Sequence, residues 1–248
     1  HTRLQGDWSS DVCSSDLLLA MSEDVRVLLV KLADRTHNML TISHIPKPEK
    51  QARIARETLD IYAPLAERIG VTNLLHEMED NAFAILYPEM AQTIRNRLDY
   101  MVAQSEIVIP MISVELQDVV ERQGVECSVS GRLKTPYSIW RKMQRKKVTM
   151  DQLSDIMAFR VLVPTNDDCY RALGGIHATY PMVMGRFKDY ISTPKRNGYQ
   201  SLHTGVIGPE NHKIEIQLRT PEMHNIAENG VAAHWNYKDP TSEQNEHK

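Results

Sequence analysis

Lys213-Ile-Glu-Ile-Gln-Leu-Arg219, followed directly by Thr220-Pro221, is the stretch that decides how this chain folds. Side chains alternate across an extended strand, so Ile214, Ile216 and Leu218 share one side while Glu215, Gln217 and Arg219 share the other. One side is built for a core. The other presents a carboxylate, an amide and a guanidinium in a row, or else is an ordinary solvent-exposed edge. Thr220 then offers an N-cap and Pro221 suits a first helical turn, so the strand feeds a helix reaching His234.

The segments around it have the same grammar. Ser201 to Ile207 and Ile156 to Val163 read as strands, Val125 to Val129 as a short one, and Cys169 to Met182 as a helix. Thr135-Pro136 repeats the cap-and-proline signal and opens a helix to about Lys147. A mixed sheet with helices packed on it is the economical arrangement. Before Cys127 the period is helical instead. Glu23 to Leu86 carries apolar residues at helical spacing, broken at Pro46-Lys-Pro48 and at Gly70, with a new helix starting at Thr72 or Asn73. Pro88 to Val108 and Pro110 to Gly124 read as two further helices.

At 248 residues, with 29 Lys and Arg against 32 Asp and Glu and a net charge of −3, the chain has the composition of a globular protein. That charge argues against wrapping long nucleic acid and leaves room for a local anion site. Cys13, Cys127 and Cys169 have neither disulfide nor zinc-ligand spacing, which fits a reducing cytoplasm. No apolar run is long enough to span a bilayer. Residues 1–17 have neither period and read as a non-native leader joined to a partial gene, or else as an ordinary disordered leader.

The candidate chemistry lies in the second half. Gly131-Arg-Leu-Lys134 and Arg141-Lys-Met-Gln-Arg-Lys-Lys147 are basic without an acidic residue, and Arg186, Lys188, Lys195 and Arg196 form a second cluster around Asp189. Such groups neutralise oxygens that gain charge during phosphoryl chemistry. A solvated basic face or RNA contact is the competing reading. Asp155 stands just before the Ile156 strand; if that strand adjoins the one carrying Glu215, the two carboxylates can hold one Mg²⁺ whose shell triphosphate oxygens complete. Tyr199 follows the Asn197-Gly198 turn and can stack on a purine, with Gln200 and His203 as hydrogen-bonding neighbours. His224 and Glu228, four apart, suit a shared ligand or helix pairing equally. Neither familiar glycine-rich phosphate loop is present, so phosphates must be held by side chains and metal.

Taken together, Val30 to Met39, Arg53 to Tyr62, Gly131 to Ile139, Ser154 to Val161, Gly185 to Thr204, Glu215 to Thr220 and Met223 to Lys238 closely resemble the RelA/SpoT family of bifunctional guanosine tetra- and pentaphosphate synthetase/hydrolases. The resemblance implies an α+β chain: a partial all-helical HD-type hydrolase domain (18–85), a helical connector (86–125) and a mixed-sheet, nucleotidyltransferase-like synthetase domain (126–248). It also implies transfer of the β,γ-pyrophosphate of ATP to the 3′-hydroxyl of GDP or GTP. By resemblance, Arg132 and Arg160 sandwich adenine, and Lys134 and Lys142 contact ATP phosphates. Asp155 and Glu215 hold Mg²⁺, Glu215 also being a candidate for activating the 3′-hydroxyl. Tyr199 stacks on guanine, and Lys195, Asn197 and His203 seat the acceptor, with Gln200 and Gln217 as further nucleotide contacts. Arg186 and Lys188 belong to the basic form of the family's Arg186-Phe-Lys-Asp189 motif and stand with the catalytic set.

In the first half, Asp34 matches the last ligand of an Mn²⁺-dependent hydrolase site and Asn38 its nucleotide pocket. Leu40 departs from the arginine common in relatives, and the upstream metal-binding histidines are not found, so this chain is expected not to hydrolyse the 3′-pyrophosphate. Ribosome or regulatory-protein contact is expected only through domains beyond this sequence. The rival to synthesis is a degenerate nucleotide- or RNA-binding regulatory module, or a parent acting mainly as a hydrolase.

Overall fold

The computed structural model describes residues 25–150, 153, 156–230 and 233, with residues 102–106 described by backbone alone. The first half is helical: α1 (Val25–Leu40), α2 (Pro48–Glu57), α3 (Ala63–Ile69), α4 (Thr72–Leu86) and the long α5 (Pro88–Glu121). Pro48 and Pro88 each open a helix at its first position, where the missing N–H is of no consequence. Between α2 and α3 the chain widens into one π-helical stretch, Thr58–Tyr62, which the periodicity did not reveal. α3 ends at Gly70, whose φ of 83° is the left-handed cap expected from its place at the end of the apolar period.

Two expectations are corrected here. Pro110 does not separate two helices: α5 runs through it as one element of 34 residues. The proline removes one rung of backbone bonding, but Ile112, Leu116, Val119 and Val120 beyond it are buried in the sheet core, and that packing carries the helix on. The short strand expected at Val125 to Val129 lies later, as β1 (Ser128–Leu133).

The rest of the sheet is β2 (Met157–Leu162), β3 (Lys188–Asp189), β4 (Leu202–Ile207) and β5 (Lys213–Arg219), in the order β1-β2-β5-β4-β3. Only β2 and β5 run parallel; the other neighbours are antiparallel. Helix α6 (Pro136–Lys146) starts from Thr135, whose hydroxyl accepts from the Ser138 amide. Helix α7 (Asn166–Thr179) is capped likewise by Thr165, and α8 (Pro221–Asn229) by Thr220. The Thr-Pro reading therefore holds at both α6 and α8, but α8 ends at Asn229, short of the expected His234, because Gly230 leaves the helical conformation at φ 55° and ψ −134°. β3 is two residues long and carries no periodic signal.

One face of the sheet is dry. Phe159, Val161, Leu202, Val206, Ile214, Ile216 and Leu218 pack against α5 and α7, with Cys169 and Ile176 in the same cluster. Each fully buried side chain of this kind contributes roughly 1.5–3 kcal/mol. The opposite face is polar, and register assembles it into rows. Ser130 pairs with Arg160, Arg160 with Gln217, Gln217 with His203 and His203 with Lys188. Next to that row stand Arg132, Ala158, Glu215 and Gly205.

Besides the packing of α5 on the sheet, the helical half meets the sheet module at two places. Phe83 of α4 packs on Tyr137 and Trp140 of α6, with Ile94 and Leu98 of α5 and Ile139 in the same buried cluster. At the second, the turn after α3 lies against the end of α8: Val71 forms a β-bridge with Asn229, and the Thr72 hydroxyl donates to the Ala227 carbonyl at 2.7 Å. A Cβ on Gly230 would stand 2.0 Å from the Ile69 carbonyl oxygen, and its φ of 55° with ψ of −134° is also a conformation for glycine alone. Gly230→Ala is expected to cost about 2 kcal/mol or more. Gly124→Ala, with φ of 73° but nothing within 4 Å of the new carbon, is expected to cost about 1 kcal/mol of backbone strain. Urea unfolding midpoints of the two variants check the difference.

Candidate active site

The polar face of the sheet and helix α6 enclose a cavity of about 440 Å³. Among the described residues its lining includes six cations, Lys142, Arg145 and Lys146 from α6 with Arg186, Lys188 and Lys213 from the sheet side, and one carboxylate, Glu215. Lys142, Arg145 and Lys146 share a helix face because they are three and four residues apart. That spacing was available in the basic run of the sequence. Only Lys142 was singled out, so Arg145 and Lys146 are additions, as is Lys213.

Glu215 is half-buried, and its Oε2 accepts from Lys134 Nζ at 2.8 Å. Burial alone would raise its pKa; the Lys134 ammonium and hydrogen bonds from Lys134 and Gln217 win and hold the carboxyl at about 2. It is anionic at any working pH. From Glu215 a chain of hydrogen bonds crosses the polar rows. Gln217 Nε2 donates to Glu215 Oε1 at 3.1 Å, and its Oε1 accepts from Arg219 Nη2 at 2.6 Å. Arg219 Nη2 also donates to the Tyr199 hydroxyl at 2.5 Å, and that hydroxyl lies 2.6 Å from His203 Nε2. Because Tyr199 oxygen accepts from Arg219, its own hydrogen is free to go to His203. The imidazole is neutral, as that bond requires: burial lowers its pKa to about 4, with Arg219, Lys195 and Lys188 reinforcing and Glu215 opposing.

Tyr199 and His203 sit with Tyr190 in a cluster of edge-on rings at centroid distances of 5.3 to 5.9 Å. The Lys195 ammonium lies over both tyrosine rings, at 4.8 Å from Tyr190 and 4.6 Å from Tyr199. An aromatic box edged by cations suits an electron-rich base carrying phosphates. Tyr190 belongs to this box and was not among the expected site residues, whereas Arg219 reaches it from the polar face that the alternation of β5 predicted. A tyrosine nine residues before Tyr199 has no periodic relation to it, so β3 pairing alone brings them together.

A smaller cavity, about 190 Å³, lies between α4 and α6 and includes Arg132, Lys134, Ser138, Arg141 and Lys142 in its lining. A third, about 180 Å³, has Arg132, Arg160 and Gln217 in its wall. Both expected adenine-binding arginines therefore face one cavity. Arg160 is also held by Glu228 of α8 at 2.7 Å, and His224 Nδ1 lies 3.7 Å from the same carboxylate. Glu228 thus anchors α8 to the sheet, while His224 Nδ1 is buried with no hydrogen-bond partner among the described residues.

Other expected site residues are placed differently. Asn197 supports its own turn, its Oδ1 accepting from the Tyr199 amide at 3.2 Å while Nδ2 donates to the Glu67 carbonyl at 3.4 Å. Gln200 donates to the Ile191 carbonyl at 3.4 Å. Strands β2 and β5 do adjoin, the condition set for an Asp155 and Glu215 pair, but Asp155 lies outside the described residues. Asp34 and Asn38 bond to each other on α1 at 3.1 Å. Among the described residues no group of three or more His, Cys, Asp or Glu is placed to hold a metal ion. None of the described helices is long and apolar enough to cross a membrane.

Residues 131–242 match the family described as the region found in RelA/SpoT proteins, and residues 15–72 match an HD-domain family. A GTP pyrophosphokinase, rsh, of Brucella ovis is 52% identical over 232 residues, covering 94% of this chain and 31% of that protein. The GTP pyrophosphokinase of Myxococcus xanthus is 48% identical over 90% of this chain and 29% of its own length. The bifunctional (p)ppGpp synthase/hydrolase SpoT of Escherichia coli K12 is 47% identical over 90% of this chain and 32% of its own. The chain spans about a third of the length of these curated relatives.

The crowding of cations has a measurable sign. Burial, then the neighbouring Lys134, hold Lys142 far below the usual lysine range, at about 7, with Glu215 opposing. A polyanion in the cavity favours its protonated form, so binding takes up a proton above pH 7 and weakens as pH rises towards 9. Calorimetry of a non-hydrolysable ATP analogue in buffers of different ionisation heat should show uptake of up to about one proton at pH 8 and little from this group at pH 6. Lys142→Arg, always charged, should remove the difference.

Proposed function

From the RelA/SpoT family, to which this chain belongs, we propose that its sheet module transfers the β,γ-pyrophosphate of ATP to the 3′-hydroxyl of GDP or GTP and releases AMP. The observation that carries this reading is the cavity in which six cations surround Glu215, next to the ring cluster of Tyr190, Tyr199 and His203. Phosphoryl chemistry asks a protein mostly for positioning and charge neutralisation, and that is what these side chains offer.

In this reading Arg132 and Arg160 hold the adenine, and Lys134, Lys142, Arg145 and Lys146 hold the donor phosphates. The guanine base lies against Tyr199, with Lys195 and Lys188 on the acceptor phosphates. Gln217 and Arg219 keep the Tyr199 hydroxyl directed at His203, so the base meets a ring of fixed orientation. The 3′-oxygen attacks the β-phosphorus, the bond from that phosphorus to the α-phosphate oxygen breaks, and the electron pair leaves with AMP.

Glu215 as found is too acidic to be an effective proton acceptor, since a carboxyl at about 2 holds a proton poorly. Lys134 supplies much of that acidity, and donor phosphates compete for its ammonium. Once Lys134 turns towards them, Glu215 is left either to accept the proton of the attacking hydroxyl or to ligate a cation that would again hold it acidic. A half-buried carboxylate in an anion-accepting cavity also fits Mg²⁺, which takes one or two carboxylates and leaves its other positions to phosphates and water. Glu215 and Asp155 would hold that ion, which when bound supplies further charge neutralisation on the phosphate oxygens.

Incubating the chain with ATP, GDP and Mg²⁺ should yield AMP and a 3′-pyrophosphorylated guanosine nucleotide. Glu215→Gln should lower kcat by about 10²-fold or more while leaving nucleotide dissociation constants within a few-fold, because the loss falls on the transition state. Nucleotide-independent, strongly salt-sensitive RNA binding by a folded chain that makes no product would favour the regulatory reading instead.

A further inference from the structure

We propose that His76, on α4 of the helical half, is a binding residue for the donor nucleotide, so that the helical half supplies part of the wall of the synthetase site. The inference rests on the synthetase reading above and adds to it a residue from outside the sheet module.

His76 lines the 190 Å³ cavity together with Arg132, Lys134, Arg141, Lys142 and Arg145, and with the hydroxyls of Thr135 and Ser138. Among the described lining residues five are cations, none is acidic, and His76 alone comes from the helical half. A pocket of that composition recruits a polyanion. Four of its cations, Arg132, Lys134, Lys142 and Arg145, are among those the reading above gives to ATP. The cavity that holds His203, Arg186 and Lys188 does not include His76 in its lining.

The ring is held by the same docking that fixes α6. Glu79, Asp80 and Phe83 follow His76 at three, four and seven residues, the spacing of one helix face. Asp80 Oδ1 accepts from the Tyr137 amide at 2.9 Å, in the first turn of α6. Glu79, 4% exposed, receives Arg141 Nη1 at 3.4 Å, and Phe83 packs edge-on against Tyr137. His76 therefore reaches the cavity from a helix pinned at several points rather than from a loop. Burial, followed by Arg132, lowers its pKa, with Arg141 adding to the effect and Glu228 opposing it, which leaves a neutral imidazole among the cations. Such a ring has one N–H to donate to a phosphate or ribose oxygen without adding a further charge to a crowded pocket.

The test compares wild type, His76→Ala and His76→Gln for kcat, for the KM of ATP and of GDP, and for the dissociation constant of a non-hydrolysable ATP analogue. His76→Ala should raise the ATP KM and the analogue dissociation constant about tenfold, the loss of one hydrogen bond to a charged group, with GDP KM and kcat within about twofold. His76→Gln keeps a donor and should recover most of the ATP affinity. An unchanged ATP affinity in His76→Ala, or equal weakening of ATP and GDP in both variants, would overturn the proposal, the latter making His76 a packing residue. A wild-type chain that makes no product yet binds the analogue with this His76 dependence would sink the synthetase reading and leave the binding role standing.

Discussion

Six like charges cannot be gathered round one cavity unless something else in the molecule compels it. At separations of several ångströms each pair of cations repels, and the repulsion grows as water is removed. Glu215 offsets a part of it through Lys134, and Lys142 answers the remainder by giving up its proton near neutrality. What holds the cluster is the dry side of the same sheet. Ile214, Ile216 and Leu218 fix β5 in register, and that register leaves Glu215, Gln217 and Arg219 facing the cavity. A slip of one residue would put the three polar groups into the core and the three apolar ones into the trough. Core packing and site chemistry are thus two faces of one seven-residue strand.

The parallel pairing of β2 with β5 is the second organising element. It sets Arg160 opposite Gln217 and Ala158 opposite Glu215, so an alanine stands where a larger side chain would crowd the carboxylate. Helix α6 then covers one side of the trough with Lys142, Arg145 and Lys146. Its angle depends on α4, through the aromatic contact of Phe83 with Trp140 and the capping of its first turn by Asp80. The helical half is in this sense part of the scaffold of the sheet module, and the placement of the cationic helix α6 depends in part on a buried acid, Glu79. Burial drives the carboxyl of Glu79 up to about 7 even against the attraction of Arg141.

Much of this was legible before any coordinates. The alternation in β5, the Thr-Pro starts of α6 and α8, and the Gly70 terminus are local signals, each readable within a few residues, and each is found where the sequence put it. The larger cavity joins residues whose roles were expected from family resemblance, and the structure brings Lys142, Arg186, Lys188, His203 and Glu215 to one place. What stayed hidden depends on tertiary placement. Tyr190 joins the ring box through a two-residue strand, too short to show a period. His76 reaches its cavity from a helix more than fifty positions upstream of the cations it meets. Pro110 misled for the opposite reason: a strong local breaker is overridden when the residues after it are buried. Asn197, expected as a nucleotide contact from resemblance, and Gln200, expected from residue type and from resemblance, have side chains that bond to backbone, an arrangement that polar type does not foretell.

The close approach of the turn at Gly70 to the end of α8 has a bearing on how the molecule comes into being. The Thr72 hydroxyl and the Ala227 carbonyl it meets are 155 residues apart in the chain. At synthesis rates of about 5–20 residues per second, α4 emerges on the order of ten to thirty seconds before that partner exists. In that interval the turn after α3 has no strand to bridge and the Thr72 hydroxyl no carbonyl from α8. This second contact between the two halves is therefore a late event of biogenesis, closed by a segment near the far end of the described chain. A nascent polypeptide halted before Ala227 would hold a helical half still lacking this contact.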